Sequence, residues 1–305
     1  MRNHRRGNDR ETQQALAILS TEDPSDTFSL TQWSLGLPYF QQRLAAWGLS
    51  GDACLDVGCG TGNRTLAASR VFGRVIGIDL NPKRLRAAMS IRNALEIGNV
   101  AFESDWRAIN GRSGEFDCIL LCNVLPFMTN RSDAIRQLIT LLNPGGRVVV
   151  SFNEIGVWPY YLLSGIRSRD PSYLRTATIL PAYFVIQRFL KARSVFESTQ
   201  GWLRTADVVA FFQTLGFVVW WKSWDTPAES SVLPLFPASK YFLPFFREIV
   251  FHPSTDSRPS GELEPFNRLP EDAGAFLPQR AFFLSTDARS RPFEWAFCQS
   301  GTAAG

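Results

Sequence analysis

The chain has 305 residues, 45% of them hydrophobic, and a formal net charge of +4. That is enough to bury one large core, and the basic excess, with no basic cluster among aromatics, is too small to mark a nucleic-acid binder. Two histidines and five cysteines supply no ligand set for a structural metal, and the three-cysteine cluster of a radical iron–sulfur centre is absent.

Arg2, Arg5, Arg6 and Arg10 open the chain without an apolar segment behind them, so residues 1–26 are expected to be a disordered tail and not a secretion signal. From there to residue 50, Trp33, Leu37, Phe40, Leu44 and Trp47 recur at helical spacing and predict helices ending near Gly48. That stripe reads as core packing or as a cover across a ligand site. Ala53-Cys54-Leu55-Asp56-Val57 is an apolar strand that runs into Gly58-Cys59-Gly60-Thr61-Gly62. Alternating glycines at such a turn remove Cβ atoms where backbone amides must approach a bound molecule closely. The spacing is G-x-G-x-G. The third glycine of a dinucleotide fingerprint would fall at Asn63, which weakens a nicotinamide or flavin reading.

Helices are expected near 62–72, 82–96 and 131–142, alternating with strands. The second strand, Arg74–Ile78, ends in Asp79, 17 residues past Gly62, where an acid can accept both hydroxyls of a ribose. The third, Val100–Glu103, is followed by Ser104-Asp105-Trp106, an acceptor for an adenine amino group beside an aromatic plane. Phe116–Cys122 is a continuous apolar run, as for a strand buried on both faces, with Asp117 read as structural. Asn143-Pro144-Gly145-Gly146 is a helix stop and turn before a fifth strand, Arg147–Phe152. Cys54, Cys59, Cys118 and Cys122 fall in or beside these buried strands, as small apolar residues in a reducing, cytoplasmic setting.

Taken in order, these motifs resemble the class I S-adenosylmethionine-dependent methyltransferases. The resemblance covers roughly residues 30–152, then Leu215–Trp221 and a last strand expected at Arg280–Ser285. It implies an α/β fold, a doubly wound Rossmann-like methyltransferase sheet. On these positions it implies that Asp56 orients the methionine amino group and that the amides around Gly58 and Gly60, with Gly62 closing the loop, approach the carboxypropyl part. Asp79 would hold the ribose, Asp105 and Trp106 the adenine, and Asn123 the methionine amino group.

The expected organisation is a cofactor-binding core at 27–152, a mostly helical substrate cap at 153–202, and a core helix and strand at 203–224. A Pro- and Phe-rich second insertion at 225–279 and a last core strand with a tail at 280–305 complete it. The aromatic insertions admit an acceptor pocket, a peripheral membrane contact or a dimer surface; no apolar run reaches the roughly 18 to 20 residues of a membrane span. Neither His4 nor His252 stands at a family position for a base, so Glu154 is the candidate catalytic base and Tyr160 and Tyr161 the acceptor contacts. The resulting expectation is an enzyme that methylates a small-molecule, sugar or glycan acceptor at oxygen. An oxidoreductase on a similar fold and a non-catalytic binding subunit are its alternatives.

Overall fold

The computed structural model describes residues 10–128, 130–153, 203–225 and 246–254. Three helices precede the sheet: α1 (Arg10–Glu22), α2 (Thr27–Ser34) and α3 (Leu37–Ala46). Strand and helix then alternate as β1 (Gly51–Val57), α4 (Asn63–Ala68), β2 (Phe72–Ile78), α5 (Pro82–Ala94) and β3 (Val100–Glu103). A short 3-10 turn at Trp106–Ile109 leads to β4 (Phe116–Cys122), a second at Leu125–Phe127 to α6 (Arg131–Ile139), and that helix to β5 (Leu142–Asn153). The chain is described again from α7 (Thr205–Thr214) through β6 (Phe217–Asp225) and in β7 (Phe246–Pro253).

The seven strands lie in the order β3-β2-β1-β4-β5-β7-β6. The first five pair in parallel, and β7 runs antiparallel between β5 and β6. The order reverses between β1 and β4, which opens a crevice at the carboxyl ends of those strands, the place where open α/β sheets hold ligands. Both faces are covered. Cys54, Cys118, Leu120 and Val149 pack under the N-terminal helices, α4 and α5. Leu55, Ile119, Val148 and Phe251 pack with α6 and α7. Central strands buried on both sides need the near-continuous apolar runs that the sequence carries.

Three expectations are corrected. Residues 1–26 are not all tail, because α1 presents Ala15 and Leu19, four apart on one face, to the core at 0% and 1% exposure. The strand at Phe246–Pro253 lies inside the stretch assigned to the second insertion. Its Arg247 and Glu248 disguised it, since a charge inside a central strand argues against one until a partner is known. The strand β5 extends back to Leu142, with a register shift against β4 between Phe116 and Cys118 that takes up the Asn143–Gly146 turn. The cap at 154–202 and the strand at Arg280–Ser285 lie outside the described residues, as do Glu154, Tyr160 and Tyr161. Asp117 is structural as expected: it accepts from the Asp52 and Ala53 amides and from Asn143 Nδ2.

Candidate functional site

The turn after β1 is built by its glycines. Gly58, Gly60 and Gly62 have φ of 72°, 56° and 82°, left-handed values that favour a residue without Cβ. The Gly58 and Cys59 amides donate to the Ile78 carbonyl (2.7 and 3.0 Å), tying the end of β1 to the end of β2. The three glycines differ in what surrounds them. A Cβ on Gly58 would lie 2.6 Å from Val124 Cγ2, and one on Gly62 2.7 Å from Phe102 Cζ, so these two permit tight packing. A Cβ on Gly60 would meet nothing within 4 Å. Gly60 thus fits a loop whose open side receives a ligand, not a neighbouring side chain.

Gly60→Ala is therefore expected to keep the fold, losing about 1 kcal/mol to its left-handed backbone, and to lower affinity for the ligand at least about tenfold. Gly62→Ala carries the same backbone cost plus the clash with Phe102 and should lose more stability. Thermal denaturation and calorimetry on the two variants check the contrast. A Gly60 variant that binds ligand normally removes the loop from the site.

Asp79 is 4% exposed. Its Oδ2 accepts from the Gly60 amide and its Oδ1 from the Asn81 amide, both at 2.8 Å. The cap of α5 is Asn81, whose Oδ1 accepts from Lys83 and Arg84, so Asp79 braces the loop and does not end the helix. Asp105 caps the turn that follows β3, accepting from the Arg107 amide at 2.9 Å, and stands exposed. Trp106 is half-buried against the core on the α6 side of the sheet. Leu80, beside Asp79, is one of the few large apolar side chains exposed among the described residues, at 38%.

Asp56 is buried at 2% exposure, and its Oδ2 accepts from the Thr65 hydroxyl at 2.6 Å. Burial pushes its carboxyl up to about 6; the Thr65 hydrogen bond and the Arg64 cation oppose the rise, and Asp79 adds to it. Arg64, itself buried, lies with its guanidinium 4.9 Å from the centre of the Phe40 ring. A folded carboxyl raised from 3.8 to about 6 holds its proton more tightly than the unfolded chain does. The stability it contributes is full below about pH 3.8 and is lost as pH rises through about 6. Wild type should lose stability relative to Asp56→Asn across that window in denaturant titrations; a constant difference contradicts the raised value.

The N-terminal helices close over this loop. Trp33 Nε1 donates to Thr61 Oγ1 at 3.0 Å, and Arg84 Nε to Asp26 Oδ2 at 2.8 Å. The stripe Trp33, Leu37, Phe40, Leu44 and Trp47 is core, 0–3% exposed, while Trp33 also touches the glycine loop. Asn123, at the end of β4, has φ 59° and receives the Ser151 hydroxyl on Oδ1 at 3.0 Å. The fold thus gathers Asp56, the three glycines, Asp79 and Asn123 at the carboxyl ends of β1, β2 and β4, with Asp105 and Trp106 beyond β3. Sequence reading missed Arg64, Thr65, Leu80 and Ser151. A signal existed for the first two: polar residues opening a helix that must pack on a sheet need polar partners there. Cys54, Cys59, Cys118 and Cys122 are free and buried, and no cluster of three or more metal-ligating side chains occurs among the described residues.

Residues 55–150 match the family described as a methyltransferase domain. Over 105 residues the chain is 33% identical to the ubiquinone/menaquinone biosynthesis C-methyltransferase of Enterobacter sp. (strain 638), covering 33% of this chain and 42% of that protein. Over 175 residues it is 28% identical to the demethylmenaquinone methyltransferase of Tropheryma whipplei (strain Twist), covering 55% and 67%. The crystal structure of magnesium protoporphyrin IX methyltransferase from Synechocystis PCC 6803 with bound SAH aligns with a TM-score of 0.47 at 19% identity, over 72% of this chain and 82% of that one. The chain spans about two fifths of the length of the first of these relatives, 42%.

Proposed function

The chain belongs to the class I S-adenosylmethionine-dependent methyltransferases, and from that premise we propose that it transfers a methyl group to an oxygen of a small-molecule, sugar or glycan acceptor. The observation that carries the reading is Gly60: a left-handed glycine with open space where its Cβ would stand, and an amide braced by a buried acid. When bound, S-adenosylmethionine supplies an electrophilic methyl on a sulfonium, open to in-line displacement. The chain's own part is to bind, orient and exclude water; such positioning is worth roughly 7 to 11 kcal/mol in favourable cases.

In this reading Asp56 takes the methionine ammonium directly or through water, and the glycine loop, its Gly58, Cys59 and Gly60 amides held by Ile78 and Asp79, lays its open side at Gly60 against the carboxypropyl part. Asp79 holds the ribose hydroxyls, with Leu80 as an apolar surface for the ring beside it. Asp105 accepts from the adenine amino group, Trp106 covers or donates to the ring, and the Asn123 backbone approaches the ammonium. Glu154 as base, with Tyr160 and Tyr161 as acceptor contacts in a helical cap, completes the proposal. A cytoplasmic location agrees with the free cysteines. Among the described residues no helix is long and apolar enough to cross a membrane. The name of the first sequence relative, a C-methyltransferase, supports a second reading, with carbon as the methylated atom.

Calorimetry with S-adenosylmethionine, S-adenosylhomocysteine and NAD tests the proposal. Binding of both sulfur compounds and not of NAD is expected. Tight NAD binding without either overturns it in favour of an oxidoreductase, and cofactor binding without turnover of any acceptor leaves a binding subunit.

A further inference from the structure

The helices α1 and α5 lie side by side on one face of the sheet and run antiparallel. Gln14, near the start of α1, donates to the Ala94 carbonyl at the end of α5 at 3.1 Å, while Glu22, the last residue of α1, and Lys83, near the start of α5, line one cavity of about 400 Å³. That volume suits a small molecule. The other walls are Arg86, Met89, Ser90 and Asn93. Lys83, Arg86, Ser90 and Asn93 follow the spacing i, i+3, i+7, i+10, which puts them in one stripe along the helix. Leu85, Ala88 and Ile91 form a separate apolar face of α5, buried in the core. The stripe is therefore spare. Beside a neighbouring helix such spacing is ordinarily apolar; here it is polar and borders open space.

The polar side chains of the cavity are mostly donors. Lysine and arginine side chains have no acceptor atom, and among the described residues neither Lys83 nor Arg86 has an ion-pair partner. Asn93 Oδ1 already accepts from Arg92 Nε and Nη2 at 3.1 and 2.8 Å, so what that amide has left to offer is its Nδ2 donor. The start of α5 is not involved, since Asn81 Oδ1 accepts from the Lys83 and Arg84 amides. Glu22, on the α1 side of the cavity, accepts only, and it pairs with neither cation.

Two uncommitted cations one turn apart, with further donors along the stripe, fit a phosphate group, whose oxygens accept. Glu22 repels a bare anion and needs a donor opposite it. A phosphate that carries hydroxyls on the same molecule satisfies both sides. Met89, 36% exposed, is an apolar wall for its carbon face.

We infer that the groove between α1 and α5 binds the phosphate monoester of a sugar, with the phosphate on Lys83 and Arg86 and a hydroxyl on Glu22. The cavity shares no residue with the glycine loop, Asp79 or Asn123, so this ligand is additional to the reactants of methyl transfer.

Calorimetry of the full chain with ribose 5-phosphate, glucose 6-phosphate, inorganic phosphate and ribose tests the inference. At least one sugar phosphate should bind with a Kd of about 0.1–1 mM, inorganic phosphate about tenfold more weakly and ribose not measurably. Lys83→Gln and Arg86→Gln should each weaken the sugar phosphate at least about tenfold, through loss of a charge-assisted contact at an exposed position. Arg86→Lys, which keeps the charge, should fall between wild type and Arg86→Gln. Glu22→Ala should lower the preference for the sugar phosphate over inorganic phosphate about fivefold, because it relieves repulsion of the anion and removes the acceptor for the hydroxyl. Asp79→Ala should leave the affinity within about twofold.

Unchanged affinity in the folded Lys83→Gln and Arg86→Gln proteins overturns the inference, as does a wild type that binds neither sugar phosphate. Loss of binding in Asp79→Ala moves the sugar to the crevice at the strand ends and likewise overturns it. A chain that sediments with phosphatidylglycerol vesicles yet binds no sugar phosphate makes the stripe a lipid-facing surface instead. Should the glutamine variants not fold, the preference measured in Glu22→Ala decides alone. None of these readouts uses S-adenosylmethionine, so the inference stands or falls apart from the methyl-transfer reading.

Discussion

Arg43→Met is expected to destabilise the fold by about 3–5 kcal/mol. Glu248 stands on β7 at 1% exposure, in register with Ser151 on β5, and pairs with Arg43 on α3. Removing the cation leaves a carboxylate in the dry interior, where an unpaired charge costs more than the pair ever contributed. Arg43 also lies 5.7 Å from the centre of the Trp47 ring, and methionine keeps part of that packing. Replacing both partners with methionine should recover some of the loss, because an apolar pair needs no compensation. Urea denaturation of the single and double variants measures both quantities. A single variant within about 1 kcal/mol of wild type would mean that water reaches Glu248 and that the pair does not clamp α3 to the sheet.

Asp79→Ala is expected to lower affinity for S-adenosylhomocysteine by about 100-fold while leaving the sheet intact. Two causes combine. In the proposed reading, charge-assisted bonds to the ribose hydroxyls, at about 1.5–3 kcal/mol each before water substitutes, are lost. The Gly60 and Asn81 amides also lose the oxygens that now hold them at 2.8 Å, so the loop must be ordered at the moment of binding. Asp79→Asn, which keeps one acceptor oxygen, should fall between the two. Calorimetry gives the affinities and circular dichroism the fold. An unchanged dissociation constant in the alanine variant would make Asp79 a brace for the loop alone.

What was legible in the chain was legible for local reasons. The strands from β1 to β5 are short apolar runs bounded by turn residues, and a strand covered on both faces has few other ways to be written. The glycine loop was legible because alternating glycines at a strand end have a steric purpose. The strand β7 was not legible, since Arg247 and Glu248 count against a buried strand until Arg43, 205 positions from Glu248, is seen to pair with one of them. The helix α1 was lost behind the arginines before it, for its Ala15 and Leu19 are too brief a stripe without the surface they cover.

The residues of the site divide along the same line. Asp56, Gly58, Gly60, Gly62 and Asp79 could be named from type and spacing, because each sits at the end of a strand whose direction the alternation with helices already dictates. Their states could not. That Asp56 titrates near 6 depends on burial beside Thr65, Arg64 and Asp79. That Asp79 braces Gly60, and that the Ser151 hydroxyl holds Asn123 Oδ1, depends on which strand ends lie side by side. Periodicity and turn chemistry are properties of neighbours in the chain, so the order of residues was sufficient for the fold class and the loop. Burial, charge pairing and unsatisfied hydrogen bonds are properties of neighbours in space, and only the closed sheet brings those together.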